Sequence, residues 1–325
     1  MHNAQMTRLN VAPMMAWTDR HCRYLHRLCA PSARLFTEMI TSAALIHGPR
    51  ERLLAFNPLE HPLAIQLGGS DPTELARAAR LAEAAGFDEI NLNVGCPSPR
   101  VQQGRFGACL MREGDLVARA LEAMQESVSI PVSVKCRLGV DEADSQRSLE
   151  TFIGQVADSG CRWIYVHARK ALLNGISPAQ NRQIPPLQYD RVYALKATFP
   201  DLLICINGGI EDADAALAHL AHVDAVMIGR KAYHSPLYMN DLEVLLHGAR
   251  PLEPFGVMAA YVEYMERQLA QGARLQDMTR HCLGLFNCLP GARRYRQTLS
   301  DAARLKSNDI SLVHEALGHL TARAA

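Results

Sequence analysis

One cysteine in the sequence stands where its thiol can react. Cys96 follows Gly95 and precedes Pro97 in a loop directly after an apolar run. A glycine before it and a proline after it would present the side chain rigidly. An unperturbed thiol has a pKa of about 8.5, so at neutral pH it can give a proton to a carbanion-like centre. A basic neighbour would instead make it a thiolate nucleophile, and the sequence leaves both roles open.

Two further polar side chains at the ends of apolar runs suit a flat heterocycle. Gln66 offers both a hydrogen-bond donor and an acceptor, and Lys135 offers a fixed positive charge. Beside a flavin, that charge would stabilise the anionic reduced form, with the backbone of Pro13, Met14 and Met15 bordering the ring. Lys135 is equally compatible with a Schiff-base lysine of an aldolase, which requires a lowered amine pKa and a carbonyl substrate.

Two glycine-containing segments late in the sequence predict a phosphate site. Asn207-Gly208-Gly209 precedes the acidic start of a helix, and Gly229-Arg230 opens another helix. Glycine lets backbone N–H groups approach phosphate oxygens, and an arginine adds a bidentate cationic partner. His167 lies between the ring and the phosphate in strand order, so it could bind either the chain that joins them or the phosphate.

These groups all follow short apolar runs that predict strands. Eight such runs occur in order: 9–12, 35–39, 63–67, 89–93, 132–136, 163–167, 202–207 and 225–228. Helical patterns separate them, most clearly at 72–85, 115–126, 148–159 and 212–220. Eight alternating units over about 220 residues predict an α/β fold, a closed (β/α)₈ TIM barrel with its chemistry at the carboxyl ends of the strands. An open doubly wound sheet would usually carry GxGxxG after its first strand, and this sequence does not.

The pattern changes near residue 250. A break at 247–254 is followed by helical patterns at 255–271 and 309–323, which predicts a barrel over residues 1–248 and a small helical domain over 249–325. Residues 280–300 hold four arginines and no acid, with Arg293 and Arg296 on either side of Tyr295, a mixture typical of RNA readers. The loop 168–186 adds more cations: Arg169, Lys170 and Arg182.

The length and composition exclude a largely disordered chain, a collagen, a coiled coil and a small disulfide scaffold. The chain has 325 residues, of which 48% are hydrophobic and 21% charged, which is ordinary for a globular protein. Nine cysteines without a CxxC pair favour reduced thiols and a cytoplasmic location. No apolar run approaches the roughly 20 residues that span a bilayer, and no secretory signal is expected at the N-terminus. A net charge of +1 means that any nucleic-acid site must be a local patch.

The sequence resembles the tRNA-dihydrouridine synthases, and matching motifs run in order through nearly the whole chain. They are Ala12-Pro13-Met14-Met15 with Trp17-Thr18-Asp19-Arg20, Ile65-Gln66-Leu67-Gly68-Gly69, Asn91-Leu92-Asn93-Val94-Gly95-Cys96-Pro97, Val134-Lys135-Cys136-Arg137, Val166-His167-Ala168-Arg169, Asn207-Gly208-Gly209-Ile210 and Ile228-Gly229-Arg230. It looks most like the A-type subfamily, which modifies uridines 20 and 20a of the tRNA D-loop.

The resemblance implies a flavoenzyme with FMN as cofactor and NADPH (or NADH) as reductant. Cys96 would be the general acid that protonates C5 of uracil after hydride reaches C6, and Asn93 and Arg137 would contact the uracil. The isoalloxazine would be held by Pro13, Met14, Met15, Gln66 and Lys135. The phosphate end would be held by His167, Asn207, Gly208, Gly209, Gly229 and Arg230.

Two other functions stay open at this point. Another FMN barrel could reduce a free pyrimidine-like molecule, and it would not need the basic C-terminal helices. A silent tRNA-binding protein could retain the barrel without its chemistry, and its preparation would be colourless. The expected partner is tRNA, with no metal, no membrane and no obligate protein partner.

Overall fold

The computed structural model describes residues 7–320, which form two compact units. Within this range, the first unit comprises residues 7–15 and 33–229, and the second comprises residues 16–32 and 230–320. The second unit therefore takes in a short segment from near the start of the chain as well as the C-terminal region. A single boundary at residue 248 stays a prediction.

Eight parallel strands form the first unit, in the order β1-β8-β7-β6-β5-β4-β3-β2. They are β1 Leu9–Val11, β2 Leu35–Thr41, β3 Leu63–Gly68, β4 Glu89–Val94, β5 Val132–Arg137, β6 Trp163–His167, β7 Leu203–Asn207 and β8 Ala225–Ile228. The two ends of the sheet meet at Arg34, whose carbonyl accepts from Val11 N at 2.9 Å and whose N–H donates to the Leu9 carbonyl at 3.0 Å. The predicted (β/α)₈ barrel is confirmed, and each predicted strand lies within two residues of the observed one.

Helices of the first unit alternate with these strands. They are α2 Ser42–His47, α3 Arg50–Leu53, α4 Pro72–Ala85, α5 Pro99–Gln103, α6 Gly114–Ser127, α7 Gln146–Asp158, α8 Tyr189–Thr198 and α9 Ala213–Leu220. Helix α4 shows how the sequence marks both ends of such a helix. The Asp71 side chain caps its N-terminus, Pro72 occupies its first turn, and Gly86 ends it with a φ of 97°.

The second unit is helical. It contains α1 Arg20–Cys29, α10 Arg230–His234, α11 Tyr238–His247, α12 Pro254–Ala270, α13 Leu275–Cys282, α14 Ala292–Leu299, α15 Ala302–Leu305 and α16 Ser311–Gly318. The predicted C-terminal helical region is therefore present, and the predicted helix at 309–323 runs beyond the described residues. Asp19, which caps α1, binds both Arg280 and His281. This links the segment near the start of the chain to α13.

Alternate residues of each strand point into the barrel, as the two-residue period of a strand requires. One end of the interior is largely apolar, with Phe36, Ala64, Tyr165, Cys205 and Met227 in one buried cluster. Next to it lies a buried ion pair between Arg34 and Glu89, at 2.6 Å. We call Arg34, Glu89 and Tyr165 the barrel floor. The carboxyl ends of the strands, where the predicted site residues lie, form the barrel mouth.

Candidate active site at the barrel mouth

Strand register brings the predicted residues of four strands together at the barrel mouth. Asn93 of β4 is paired with Lys135 of β5, and Arg137 of β5 with His167 of β6. His167 is in turn paired with Asn207 of β7. Five candidates that are far apart in sequence therefore form one continuous arc.

Lys135 is the cation at the centre of this arc. Its Nζ donates to Asn207 Oδ1 at 3.2 Å, and the Asn207 amide donates to the Met227 carbonyl at 2.8 Å. Burial, together with the nearby Arg137, lowers the pKa of Lys135 to about 8. A lowered amine pKa is one requirement of the Schiff-base alternative, so Lys135 alone does not decide between the two chemistries.

Cys96 lies on a loop whose backbone is fixed from two sides. Asn93 Oδ1 accepts from Gly95 N at 3.1 Å and from Cys96 N at 3.0 Å. The Cys96 carbonyl accepts from Ala108 N at 2.9 Å. Gly107 makes this approach possible, because a Cβ there would come within 2.6 Å of the Cys96 carbonyl oxygen.

The thiol of Cys96 is the protonated form at neutral pH. Burial raises its pKa above the usual value, although the Ser98 N–H and the cations Arg137, Arg182 and Lys135 act to lower it. Of the two roles that the sequence left open, this environment favours a proton donor over a thiolate nucleophile.

Arg137 joins the Cys96 loop to the loop that follows β6. Its Nε donates to the Gly95 carbonyl at 2.8 Å, and its Nη1 donates to the carbonyls of Lys170 and Asn181 at 3.1 and 3.0 Å. The side chain is buried, and burial lowers its pKa to about 10. Its assigned contact with uracil stays a prediction, while its hydrogen bonds join the Cys96 loop to the loop after β6.

The loop 168–186 carries the other predicted cations. Arg169 donates to the carbonyls of Gln183 and Pro185, and Lys170 pairs with Asp144 at 3.2 Å. Arg182 is exposed, and it is close enough to act on the pKa of Cys96. Of these three cations, Arg182 therefore lies near the thiol.

His167 and the two glycines after β7 lie against one another. A Cβ on Gly208 would come within 2.8 Å of the His167 ring, and one on Gly209 within 2.5 Å of Leu187. Both glycines also have positive φ, 121° and 68°, so side chains are excluded on two grounds. Burial, with Arg137 and Lys135 nearby, holds the pKa of His167 well below its usual value, so its ring is neutral.

The remaining predicted cofactor residues differ in setting. Pro13 is half-buried, Met14 packs against the interior cluster, and Met15 is 60% exposed. At Gly229 a Cβ would lie 3.9 Å from that of Ala12, which places the end of β8 beside the end of β1. Arg230 begins α10 directly after it and belongs to the second unit.

The basic segment of the second unit is only partly as the sequence suggested. Arg293 is exposed, and Arg296 is half-buried and donates to Asn287 Oδ1 at 3.2 Å. Tyr295 is fully buried and bonds to Cys282, so the exposed part of this segment is basic but does not include the tyrosine ring. The helical period predicts this outcome, since Ala292, Tyr295, Thr298 and Leu299 form the inner face of α14.

Sequence reasoning missed four buried polar residues that organise this mouth. Glu89, Asn91 and Ser133 continue the polar contacts of Gln66 and Asn93 into the barrel. Asn181 bonds both the N–H and the carbonyl of Leu172, which shapes the loop after β6. The signal that could have found the first three is the alternation of polar residues in β4 and β5, which places them on the inner side.

Residues 7–320 contain neither a metal cluster nor a membrane span. They hold no group of three or more His, Cys, Asp or Glu side chains placed to bind a metal ion. In the same range, no helix combines the length and the apolar character that a membrane span requires.

The chain matches the family model described as "Dihydrouridine synthase (Dus)" over residues 10–321. A protein of Xanthomonas campestris pv. campestris named tRNA-dihydrouridine(20/20a) synthase is 54% identical over 96% of this chain and 93% of its own length. The protein of the same name from Escherichia coli strain K12 is 52% identical over 95% of this chain and 90% of its own. That from Vibrio cholerae is 50% identical over 96% of both.

Among solved structures, a complex of 2-naphthoyl-CoA reductase with 2-naphthoyl-CoA resembles this chain with a TM-score of 0.57. It covers 75% of this chain and 50% of the reductase chain at 10% identity, so the likeness concerns the fold alone.

Proposed function

The chain belongs to the dihydrouridine synthase family, and on that premise we propose that it reduces the C5–C6 double bond of uridines 20 and 20a in tRNA. The enzyme is an oxidoreductase, for which we propose FMN as the cofactor and NADPH (or NADH) as the reductant. Its family also sets aside the Schiff-base alternative for Lys135. Because tRNA is the substrate, we place the enzyme in the cytoplasm.

One observation carries the mechanism: a partly buried thiol on a fixed loop at the barrel mouth. The pKa of Cys96 is raised by burial, and the loop that carries it is fixed by Asn93. A thiol in this state has a proton to give and does not compete as a nucleophile. We therefore assign Cys96 as the general acid that delivers a proton to C5 of the uracil.

The residues present fit a flavin mononucleotide. Lys135 and Arg137 bond to amide and carbonyl oxygens, which leaves their positive charge available to an anion. Gly208 and Gly209 have positive φ and pack closely against His167 and Leu187, so only glycine fits there, and their backbone N–H groups would receive a phosphate. In this assignment Lys135, Gln66 and the segment Pro13–Met15 hold the ring, and His167, Asn207, Gly229 and Arg230 complete the phosphate end.

Bound FMN would supply the hydride for C6 of the uracil. The chain's own residues do the rest: Asn93 and Arg137 orient the base, and Cys96 holds the proton for C5. Proton delivery by a positioned side chain typically contributes about 10²–10⁴-fold to a rate.

The substrate uridine must leave the folded D-loop before it can enter the barrel. Extruding a base costs a few kcal/mol, and contacts with tRNA phosphates must offset that cost. We assign this role to Arg169, Lys170 and Arg182 of the first unit and to Arg293 and Arg296 of the second. All five are cationic, and Arg182 and Arg293 are exposed.

The decisive experiment maps dihydrouridine in unmodified tRNA incubated with the purified protein, FMN and NADPH. We expect dihydrouridine at positions 20 and 20a, and a loss of about 10²–10⁴-fold in the rate with Cys96→Ala. The variant should still bind FMN, which absorbance of the purified protein measures. A protein that stays colourless in FMN, or product at other positions, would overturn the proposal. Product from free uridine would support the small-molecule alternative.

A further inference from the structure

A continuous chain of hydrogen bonds connects the barrel interior to the Cys96 loop. Asn93 Nδ2 donates to Gln66 Oε1 at 2.7 Å, and Gln66 Nε2 donates to Asn91 Oδ1 at 2.8 Å. Asn91 Nδ2 donates to Ser133 Oγ at 2.8 Å, and Ser133 Oγ donates to the Glu89 carboxylate. We call these five residues the amide chain. Every donor in it points the same way, toward Glu89.

Glu89 fixes that direction. Its carboxylate pairs with Arg34 at 2.6 Å, and both of its oxygens accept hydrogen bonds, one from Arg34 and Tyr165 and the other from Ser133. The Ser133 hydroxyl must therefore donate to it, which leaves the Ser133 oxygen to accept from an N–H₂ group. This requirement turns the Asn91 amide so that its oxygen faces Gln66.

The orientation of the Asn91 amide in turn fixes the orientations of Gln66 and Asn93. With the Asn91 oxygen facing it, Gln66 must present its N–H₂ group there and its oxygen to Asn93. Asn93 must then point its N–H₂ group at Gln66 and its oxygen away. That oxygen is the one that accepts from the N–H groups of Gly95 and Cys96. The direction of donation that Glu89 sets thus determines which atom of Asn93 faces the backbone of Cys96.

Burial makes the orientation hard to reverse. Glu89, Asn91 and Ser133 are 0% exposed, Gln66 is 1% exposed and Asn93 is 9% exposed. Turning any one amide over would set two donors or two acceptors face to face without water to satisfy them. A buried polar group that loses its partner destabilises the arrangement that contains it, so a reversed amide is a minor state.

We propose that Glu89, Ser133 and Asn91 are positioning residues for Cys96: through Gln66 and Asn93 they hold the loop that carries the proton donor. They do not touch the thiol, and their effect on the reaction passes through the Asn93 oxygen. The proposal rests on the proposed function, because it concerns the step in which Cys96 gives up its proton. A network that only stabilised the barrel would show no coupling to Cys96.

A double-mutant cycle between Ser133→Ala and Cys96→Ala distinguishes the two roles. Ser133→Ala removes the oxygen that accepts from Asn91 and frees the amides above it to turn over. We expect dihydrouridine formation, at saturating FMN and tRNA, to slow about 10- to 100-fold, the range that a misplacement of about 1 Å can cost. In the Cys96→Ala background, the same substitution should slow the remaining rate clearly less, because no thiol is left to position and only the contact of Asn93 with the base is disturbed.

Two controls distinguish a loss of Cys96 positioning from a general structural effect of the substitution. Cys205→Ala deletes one buried heavy atom elsewhere in the barrel interior, and we expect it to leave the rate nearly unchanged. NADPH oxidation with ferricyanide as the acceptor does not require the thiol, so the ratio of the dihydrouridine rate to this rate removes any effect that Ser133→Ala has on the flavin through Gln66. If Ser133→Ala does not fold, Ser133→Cys takes its place in the cycle, since a thiol fills the site but donates weakly.

A second measurement reads the loop itself. Iodoacetamide labelling of Cys96, followed by peptide mass spectrometry, is compared with labelling of the exposed Cys288 in the same sample. We expect the ratio to rise in Ser133→Ala and not in Cys205→Ala, because a loosened loop exposes the thiol. An equal loss of rate in both Cys96 backgrounds, or an unchanged ratio, would overturn the proposal. If the unmodified protein forms no dihydrouridine, the proposed function fails, and the labelling still tests the positioning.

Discussion

The floor and the mouth of the same barrel treat buried positive charge in opposite ways. At the floor, Arg34 is paired with Glu89 at 2.6 Å, and Tyr165 donates to the same carboxylate at 3.2 Å. At the mouth, Lys135 donates to an amide oxygen, and Arg137 donates to three backbone carbonyls. At the floor, the buried cation is paired with an anion. At the mouth, the buried cations bond to the uncharged oxygens of amide and carbonyl groups.

The pKa values record this difference. Burial works against the charge of Arg34, but Glu89 outweighs it and raises the pKa of Arg34. At the mouth burial prevails, and it lowers the pKa of Lys135 to about 8 and that of Arg137 to about 10. A buried charge without a counter-ion is costly, and this unpaired positive charge at the mouth is what the proposed anionic cofactor would compensate.

The largest effect is expected when the floor is made to resemble the mouth. Glu89→Gln removes the counter-ion of Arg34 and should lower the free energy of unfolding by about 3–5 kcal/mol. Urea denaturation followed by circular dichroism measures the change. The double variant Arg34→Met/Glu89→Gln removes both charges and should regain part of the loss. Equal stability of Glu89→Gln and the unmodified protein would show that the floor does not depend on pairing.

Removing a cation from the mouth should reduce ligand binding without reducing stability. Lys135→Met should leave the apo protein as stable as before or more so, while the affinity for FMN falls about 10- to 100-fold, the range expected from a charge-assisted bond of about 1.5–3 kcal/mol. Quenching of flavin fluorescence on titration measures the affinity. Lys196→Met, at a surface lysine paired with Asp224, is the matched control and should not change it. A loss of stability with intact FMN binding would contradict the comparison.

The sequence predicts the mouth better than the floor, for a physical reason. Period-two alternation and glycine punctuation locate the strands, and residues at the strand ends of a parallel barrel must converge. Lys135, His167 and Asn207 can therefore be grouped from their positions in the chain alone, and their register confirms the grouping. Those residues also lie in motifs, which carried the resemblance.

The amide chain could not be predicted in the same way. It requires knowing that Asn91 is opposite Ser133 and that Gln66 is opposite Asn91, which is a matter of register between strands. The segment around Tyr295 shows the same limit. Its neighbours in sequence are basic, but the helical period turns the tyrosine ring inward. Local composition shows what a segment contains, and only packing shows which side chains face water.

A smaller effect tests whether the second unit also reserves positive charge for a ligand. Arg293→Ala/Arg296→Ala should weaken tRNA binding and reduce the slope of log affinity against log salt by up to about 2, since each phosphate contact contributes about 0.9. Filter binding at several salt concentrations measures the slope. Arg304→Ala is the control, because both Nη atoms of Arg304 already bond to Glu315. FMN content should be unchanged in all three proteins, and a parallel loss of flavin would refute the assignment.

The smallest effect is a pH dependence that belongs to the mouth alone. The pKa of Lys135 is about 8 in the folded protein, against 10.5 for an unperturbed lysine. Between these values the unfolded chain binds more protons than the folded one, so the contribution of Lys135 to stability rises with pH. Its penalty is present in full below pH 8 and is lost by pH 10.5.

Urea denaturation of the apo protein and of Lys135→Met across this range isolates that contribution. We expect the unmodified protein to gain stability relative to the variant as the pH rises, whereas Lys196→Met should track the unmodified protein. Bound FMN places an anion beside the amine and should raise the pKa of Lys135, so saturating FMN should flatten the difference. A difference that stays flat in the apo protein would mean that the amine is already compensated, and the contrast between floor and mouth would lose its electrostatic basis.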